Sequence, residues 1–303
     1  MPVTLSNTSG RGNFRLTNSN NSGRFNLTST SSFLLDNYAG ASFAVSLRKL
    51  RSAYTGACIR VQRSSDNTQQ DIGFLNGFLD TASLNTFVGV GTGTVVTWYD
   101  QSILSRDVIK DAAVAAPEIR ISGTNQSLNS KISVYFNGSK LLIGDEYVDG
   151  TLAANGSCIA FSVGNALDTS TRCMLTIGGS PYNSQTIRKS GTVLQAIAYN
   201  SGGTFTDSGN VSSGTAQFIA CTERKVSSIE IFTNTLSNGA TAASGTANST
   251  ITSTLPILGY NNSSAFAWNG HIQEVILFAL DPSANTTYKT NIAAALNSYY
   301  TTY

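Results

Sequence analysis

Apolar and polar residues alternate in short bursts along most of this chain. In AYTGACIRVQRSSD, Ala57, Ile59 and Val61 fall on one side of an extended backbone, with Cys58, Arg60 and Gln62 on the other. That period of two marks a half-buried strand. Asp66-Asn67 supplies a turn, and Asp71–Phe74 reads as a strand returning against the first. Phe43–Leu50 begins a strand or a short helix. Asp80 stands where a helix N-cap belongs, ahead of Thr81–Phe87, and Gly89–Gly93 breaks that helix. Thr94–Tyr99 is a strand ending in WYDQS, its Trp98 and Tyr99 pointing to opposite faces, with Asp100 as a turn-former. From Cys158 to Phe232 come CIAFSV, RCMLTIGG, TIRKS, LQAIAYN, AQFIACTER and SSIEIFTN, with turn signals at the spacing of a β-sandwich. Tyr288, Ile292, Leu296 and Tyr299 recur at helical spacing behind Asp281-Pro282, which predicts an amphipathic terminal helix over Ser283–Tyr300. The pattern is that of an all-β sandwich with a short C-terminal helix.

Residues 1–32 differ from the rest. They consist almost entirely of Ser, Thr, Asn, Gly and Arg, with VTLSN, FRLTN and FNLTS recurring so that Leu5, Leu16 and Leu27 are eleven apart. Val3/Leu5, Phe14/Leu16 and Phe25/Leu27 each share a side, and Gly10-Arg11 and Gly23-Arg24 lie between the copies. So few apolar residues cannot fold alone. The expectation is an extended arm docking through Leu5, Phe14, Leu16, Phe25 and Leu27, with Arg11 and Arg24 for acidic groups on a partner, ahead of a domain over 33–303.

Composition narrows the class. Of 303 residues, 41% are apolar, enough for a sizeable core, but only 12% are charged, about half the usual share. A formal charge of +2 creates no field that would draw nucleic acid, and nowhere is an apolar run long enough to cross a membrane as a helix. The start, MPVTLSNTSGRGNF, has neither the basic nor the apolar region of a secretory signal. Cys58, Cys158, Cys173 and Cys221 lack metal-binding spacing and read as buried thiols. If the strands of Cys158 and Cys173 form a hairpin, those two fall at its opposite ends, too far apart to bridge. A disulfide to Cys58 or Cys221 stays open.

Three landmarks carry a family resemblance. They are the block from Phe43 to Ser102 with WYDQS, KISVYFNGSKLLI with its Asn137-Gly138 hairpin turn, and ILGYNNSSAFAWNGHIQEVILF, where Gly270 makes a turn into a central strand Ile272–Phe278. Together they resemble concanavalin-A-like (laminin-G-like) jelly rolls of the kind found in bacteriophage tail and virion proteins, bacterial surface proteins and arabinofuranosidase-B-type catalytic domains. The resemblance covers nearly everything after residue 33 and implies a jelly-roll fold. Its three homes perform different tasks, so it fixes fold before function.

For the hydrolase branch, the resemblance implies an acid/base Asp in a Gly-Gly-Asp-Asn-Ser-like turn. The matching place is Gly259–Ser263, where Asn261 has no proton to donate. The nucleophile Glu of that branch has no convincing match: Glu223 and Glu230 are the nearest candidates, and both sit in strands where a solvent-facing carboxylate is the ordinary reading, so no catalytic residue is expected. His271, the sole histidine, has no nucleophile signature to form a triad with. Two acidic clusters, Asp66/Asn67/Asp71 and Asp145/Glu146/Asp149, are of the type that holds calcium but match no defined loop. No cofactor or metal is expected.

The reading that follows is a non-enzymatic virion structural protein: a capsid decoration, head fibre or tail component on the virion surface, made in a host cytoplasm. Residues 1–32 would contact other virion proteins, with a homo-oligomer, such as a trimer, as the assembled form. Host-surface glycan would stack on Tyr260, Phe266 or Trp268 and hydrogen-bond to Asn261 and Asn262. The competing expectations are an arabinofuranosidase-like glycoside hydrolase and a purely structural cement protein.

Overall fold

The computed structural model describes residues 33–140, 142–144, 157–178, 185–200, 203–210, 215–225, 228–233, 237–238, 243–244, 256–259 and 266–302. The docking residues of the arm (Leu5, Arg11, Phe14, Leu16, Arg24, Phe25 and Leu27) lie outside these. Seventeen principal strands follow in chain order: β1 Ala41–Ser46, β2 Ile59–Arg63, β3 Gln69–Ile72, β4 Gly93–Trp98, β5 Val108–Lys110, β6 Glu118–Ile121, β7 Val134–Asn137, β8 Leu142–Gly144, β9 Cys158–Ala166, β10 Arg172–Ile177, β11 Gln185–Ser190, β12 Val193–Asn200, β13 Gly203–Asn210, β14 Phe218–Lys225, β15 Ser228–Thr233, β16 Pro256–Leu258 and β17 Asn269–Phe278. Three helices join them: α1 Leu34–Asn37, α2 Thr81–Val88 and α3 Thr286–Tyr300.

The strands form two antiparallel layers. In the first, β15, β14, β9 and β17 pair in that order, and the far edge of β17 is shared by β7 along Asn269–Ile272 and β1 along Glu274–Phe278. The second runs β3, β2, β4, β5, β8, β16, β10, β11, β12, β13. Strand β6 pairs with both β4 and β7 and ties the layers along one side. Between them lies a core that includes Phe43, Val61, Trp98, Phe136, Leu175, Leu194, Ile231 and Val275.

Layer one is buried on both faces, because α3 covers its outer side. Ile292, Ala293, Leu296 and Tyr300 pack there against Phe161, Ile219, Cys221, Ile276 and Phe278. Full burial of one such aliphatic side chain contributes about 2 kcal/mol. All nine residues of β9 are buried in consequence, Ser162 and Asn165 among them, so a strict in–out alternation gives way to burial on both faces.

Several local expectations hold. The Asp80 side chain accepts from the Ser83 amide and caps α2; Asn67, at φ 60°, turns β2 into β3. Others need correction. Of Phe43–Leu50, read as the start of a strand or a short helix, only the part up to Ser46 is strand, the end of β1. Helix α3 begins at Thr286 rather than Ser283, behind Asn285, whose side chain caps no helix amide and instead donates to the Asp281 carbonyl. Asn137-Gly138, with Gly138 at φ +84°, is a corner and not a hairpin: β7 pairs in layer one and β8 in layer two. Gly270 lies inside β17 and is not its turn; a Cβ there would run into the carbonyl oxygen of Asn165 on β9. Cys158 and Cys173 do not share a hairpin, because β9 lies in layer one and β10 in layer two. All four cysteines are free and buried.

Candidate functional site

Most carboxylates held in the body of the fold are saturated with hydrogen bonds, which marks them as structural. Asp100, 1% exposed, accepts from the amides of Ala44 (2.7 Å), Ser102 (2.8 Å) and Arg106 (2.9 Å) and from Ser102 Oγ (2.5 Å). Burial raises its pKa, and those donors work against the rise. Beside it, the Gln101 amide donates to the carbonyls of Ser46 and Arg48 and accepts from the Leu50 amide. WYDQS is therefore a latch between β4 and the β1 segment, while Trp98 fills the core and Tyr99 donates its hydroxyl to Asp71.

Glu274 is likewise complete. It accepts from Ser46 Oγ (2.7 Å), Arg48 Nε (2.8 Å) and Nη2 (2.9 Å), and Tyr300 Oη (2.9 Å), which clamps α3 to β17 and β1. At one end of the sandwich, Asp168 is bound by Arg172, the Ser170 amide and Asn269.

Glu223 and Glu230 differ. They stand at opposed positions on β14 and β15, the sole cross-strand pair of carboxylates among the described strands. Directly opposed residues keep their Cβ atoms about 4.5–5.5 Å apart, and both side chains face outward toward α3. Glu223 is 4% exposed, yet among the described residues no hydrogen bond reaches its carboxylate. Its nearest cations are Lys289 Nζ at 3.5 Å and Lys225 Nζ at 3.9 Å; Lys225 is also 3.9 Å from Glu230. Lys289 comes from the first turn of α3 and lies 3.5 Å above the Phe232 ring centroid. The sequence reading took the two glutamates as solvent-facing strand residues, which the burial of Glu223 corrects, and it missed both lysines. The alternation of β14 and β15 puts the acids on one face, but nothing local tells that α3 brings Lys289 to it.

The remaining candidates separate. His271 sits on the outer face of β17 with Nδ1 2.9 Å from Ser133 Oγ and its ring 5.2 Å from that of Tyr135. Burial lowers its pKa from 6.5 to about 4. Among the described residues no carboxylate is hydrogen-bonded to His271, so the Ser133–His271 contact does not extend to a triad. Asp66 is ion-paired with Arg63 and Asp71 with Arg60, each holding its carboxyl below the usual range, and Asn67 serves the turn. Among the described residues no group of three His, Cys, Asp or Glu is arranged to hold a metal. Trp268 is wholly buried, edge-on to Phe218, and offers no face to a sugar; Phe266 is half-buried. Tyr260, Asn261, Asn262, Asp145, Glu146 and Asp149 lie outside the described residues.

Comparison with known proteins bears on the class of chemistry. Residues 38–149 match the family model of the catalytic domain of alpha-L-arabinofuranosidase B. No curated protein matches the chain. Among solved structures, an arabinofuranosidase complexed with arabinofuranosyl-alpha-1,2-xylobiose overlays with a TM-score of 0.62 at 17% identity, over 86% of this chain and 64% of that one. A GH54 α-L-arabinofuranosidase soaked with a cyclic sulfate inhibitor gives 0.61 at 17%, with the same coverage. A Glu-to-Gln variant of such an enzyme, soaked with 4-nitrophenyl α-L-arabinofuranoside, gives 0.61 at 16%. The chain thus spans 64% of the length of these chains. The overlays establish the fold, a sandwich of the kind the sequence indicates. These matches are to a glycoside hydrolase's catalytic domain, and they overturn the expectation of a non-enzymatic virion component, along with its capsid or tail-fibre role and virion-surface location.

Proposed function

We propose that the chain is a glycoside hydrolase domain acting on α-L-arabinofuranosides, with Glu223 and Glu230 as its two carboxylates. The observation that carries the reading is the state of Glu223: a buried carboxylate at a cross-strand position opposite a second one, flanked by two ammonium groups and free of the donors that saturate Asp100 and Glu274. The family match over 38–149 supports the substrate class.

Retention of configuration requires carboxyl groups about 5–5.5 Å apart; directly opposed positions on paired strands start the two side chains from Cβ atoms about 4.5–5.5 Å apart, within reach of that spacing. Glu223, held between Lys225 and Lys289, attacks the anomeric carbon and forms a glycosyl ester. Glu230, the more exposed of the two, gives its proton to the departing oxygen. Glu230 then takes a proton from water as that water cleaves the ester, restoring both groups.

The test is release of 4-nitrophenol from 4-nitrophenyl α-L-arabinofuranoside. Wild type turns over; E223Q and E230Q each lose about 10²–10⁴-fold in kcat while keeping the wild-type Tm. A silent wild-type protein, or variants as active as wild type, overturns the assignment.

A further inference from the structure

On the α3 side of the fold, away from the glutamate pair, a short hairpin pairs Phe74–Leu75 with Phe78–Leu79 around Asn76 and Gly77, both at positive φ. It holds Leu75 and Phe78 at 55% and 50% exposure. Folding hides large apolar side chains where it can, so a rigid turn presenting two of them together marks a contact surface. Phe78 stacks on Tyr299 of α3, with ring centroids 5.8 Å apart and planes 10° from parallel. Two cations flank the stack, and a third lies against the Phe33 ring beside the hairpin. Arg48 lies 4.6 Å and Lys131 Nζ 4.5 Å from the Tyr299 centroid, and Lys49 Nζ lies 5.5 Å from the Phe33 ring. The hairpin is fastened between these groups, since the Lys49 amide donates to the Gly77 carbonyl.

Charge identifies the occupant. Glu274 neutralises Arg48, but among the described residues neither Lys49 nor Lys131 has a carboxylate partner. Next to the stack, Leu34, Asn37, Tyr38, Arg48, Ala295, Ser298 and Tyr299 enclose an open groove of about 380 Å³, room for one or two sugar rings. A half-exposed aromatic ring offers a stacking face to sugar C–H groups, and two unneutralised ammonium groups beside it offer ion pairs to carboxylates. We infer that the Phe78–Tyr299 platform, with Lys49 and Lys131, binds an acidic polysaccharide through its uronate residues. Nothing in this inference depends on the glutamate pair.

Affinity electrophoresis in gels containing polygalacturonate tests it, with neutral dextran gels as control. Wild type is retarded by polygalacturonate and not by dextran, and the retardation weakens with added salt. F78A and the double variant K49Q/K131Q each bind about tenfold more weakly, while F78L, which keeps an apolar hairpin tip, binds as weakly as F78A at an unchanged Tm. Hydrolysis of the aryl arabinofuranoside is the same in all of them. Equal retardation in dextran, retention of binding in F78L, or an equal retardation by duplex DNA or anionic vesicles overturns the proposal. Loss of glycosidase activity alone leaves it standing.

Discussion

His271 gives the fold a built-in acid sensitivity that can be worked out in advance. In the folded chain burial holds its pKa near 4, against 6.5 in an exposed histidine. Between those two pH values the unfolded chain takes up a proton and the folded chain does not. Stability is therefore complete above pH 6.5 and is lost as the pH falls toward 4. At 1.36 kcal/mol per pH unit for one proton, the loss is about 3 kcal/mol at pH 4. Carboxylates titrate in part of the same range, so the isolated quantity is the difference between wild type and H271Q. That variant gives up about 1 kcal/mol at pH 7 with the Ser133 hydrogen bond, but it has no proton to gain. Urea unfolding at pH 7 and pH 4 should show wild type losing about 3 kcal/mol more than H271Q. Because the chain has a single histidine, its imidazole signal can also be followed directly by NMR. A titration midpoint near 6.5, or identical acid limbs in the two proteins, refutes the reasoning.

Two further substitutions probe the frame. E274Q leaves the Arg48 guanidinium in a buried site without its anion and should cost about 3–5 kcal/mol, lowering Tm by about 10 °C in calorimetry; a loss below about 1 kcal/mol would mean the clamp on α3 is decorative. G270A drives a methyl group into the Asn165 carbonyl of β9, so a destabilisation of about 3 kcal/mol is expected by urea unfolding, and a neutral result excludes that close approach.

The local parts of this fold were legible because their causes are local. Asp80 caps α2 through an amide three residues away, and the α3 stripe repeats within a single helix. Pairing was not legible. Alternation assigns a residue to a face but does not name the strand beside it. The strands of Cys158 and Cys173 follow one another yet belong to opposite layers, and Asn137-Gly138 has the residues of a hairpin turn but makes a corner. Trp268 looked like a stacking surface because an aromatic residue near polar turns has the chemistry to serve either a sugar or a core; its place edge-on to Phe218 is set by β14, some fifty residues away.

The same distinction bears on where chemistry can reside. Arg48 and Glu274 are far apart in sequence, yet the fold brings them within 2.8 Å and surrounds the acid with four donor contacts. A carboxylate so committed cannot turn toward a substrate without releasing its partners, each worth about 1.5–3 kcal/mol as a charge-assisted bond. Asp100 is fixed in the same manner. Glu223 is as deeply buried as these, but its neighbours are two lysines at 3.5–3.9 Å. They compensate its charge and leave its oxygens open to a new bond. A sequence shows a carboxylate; only the tally of donors around it shows whether that carboxylate is already used, and by that measure Glu223, unlike Asp100 and Glu274, keeps its oxygens free among the described residues, as the proposed role requires.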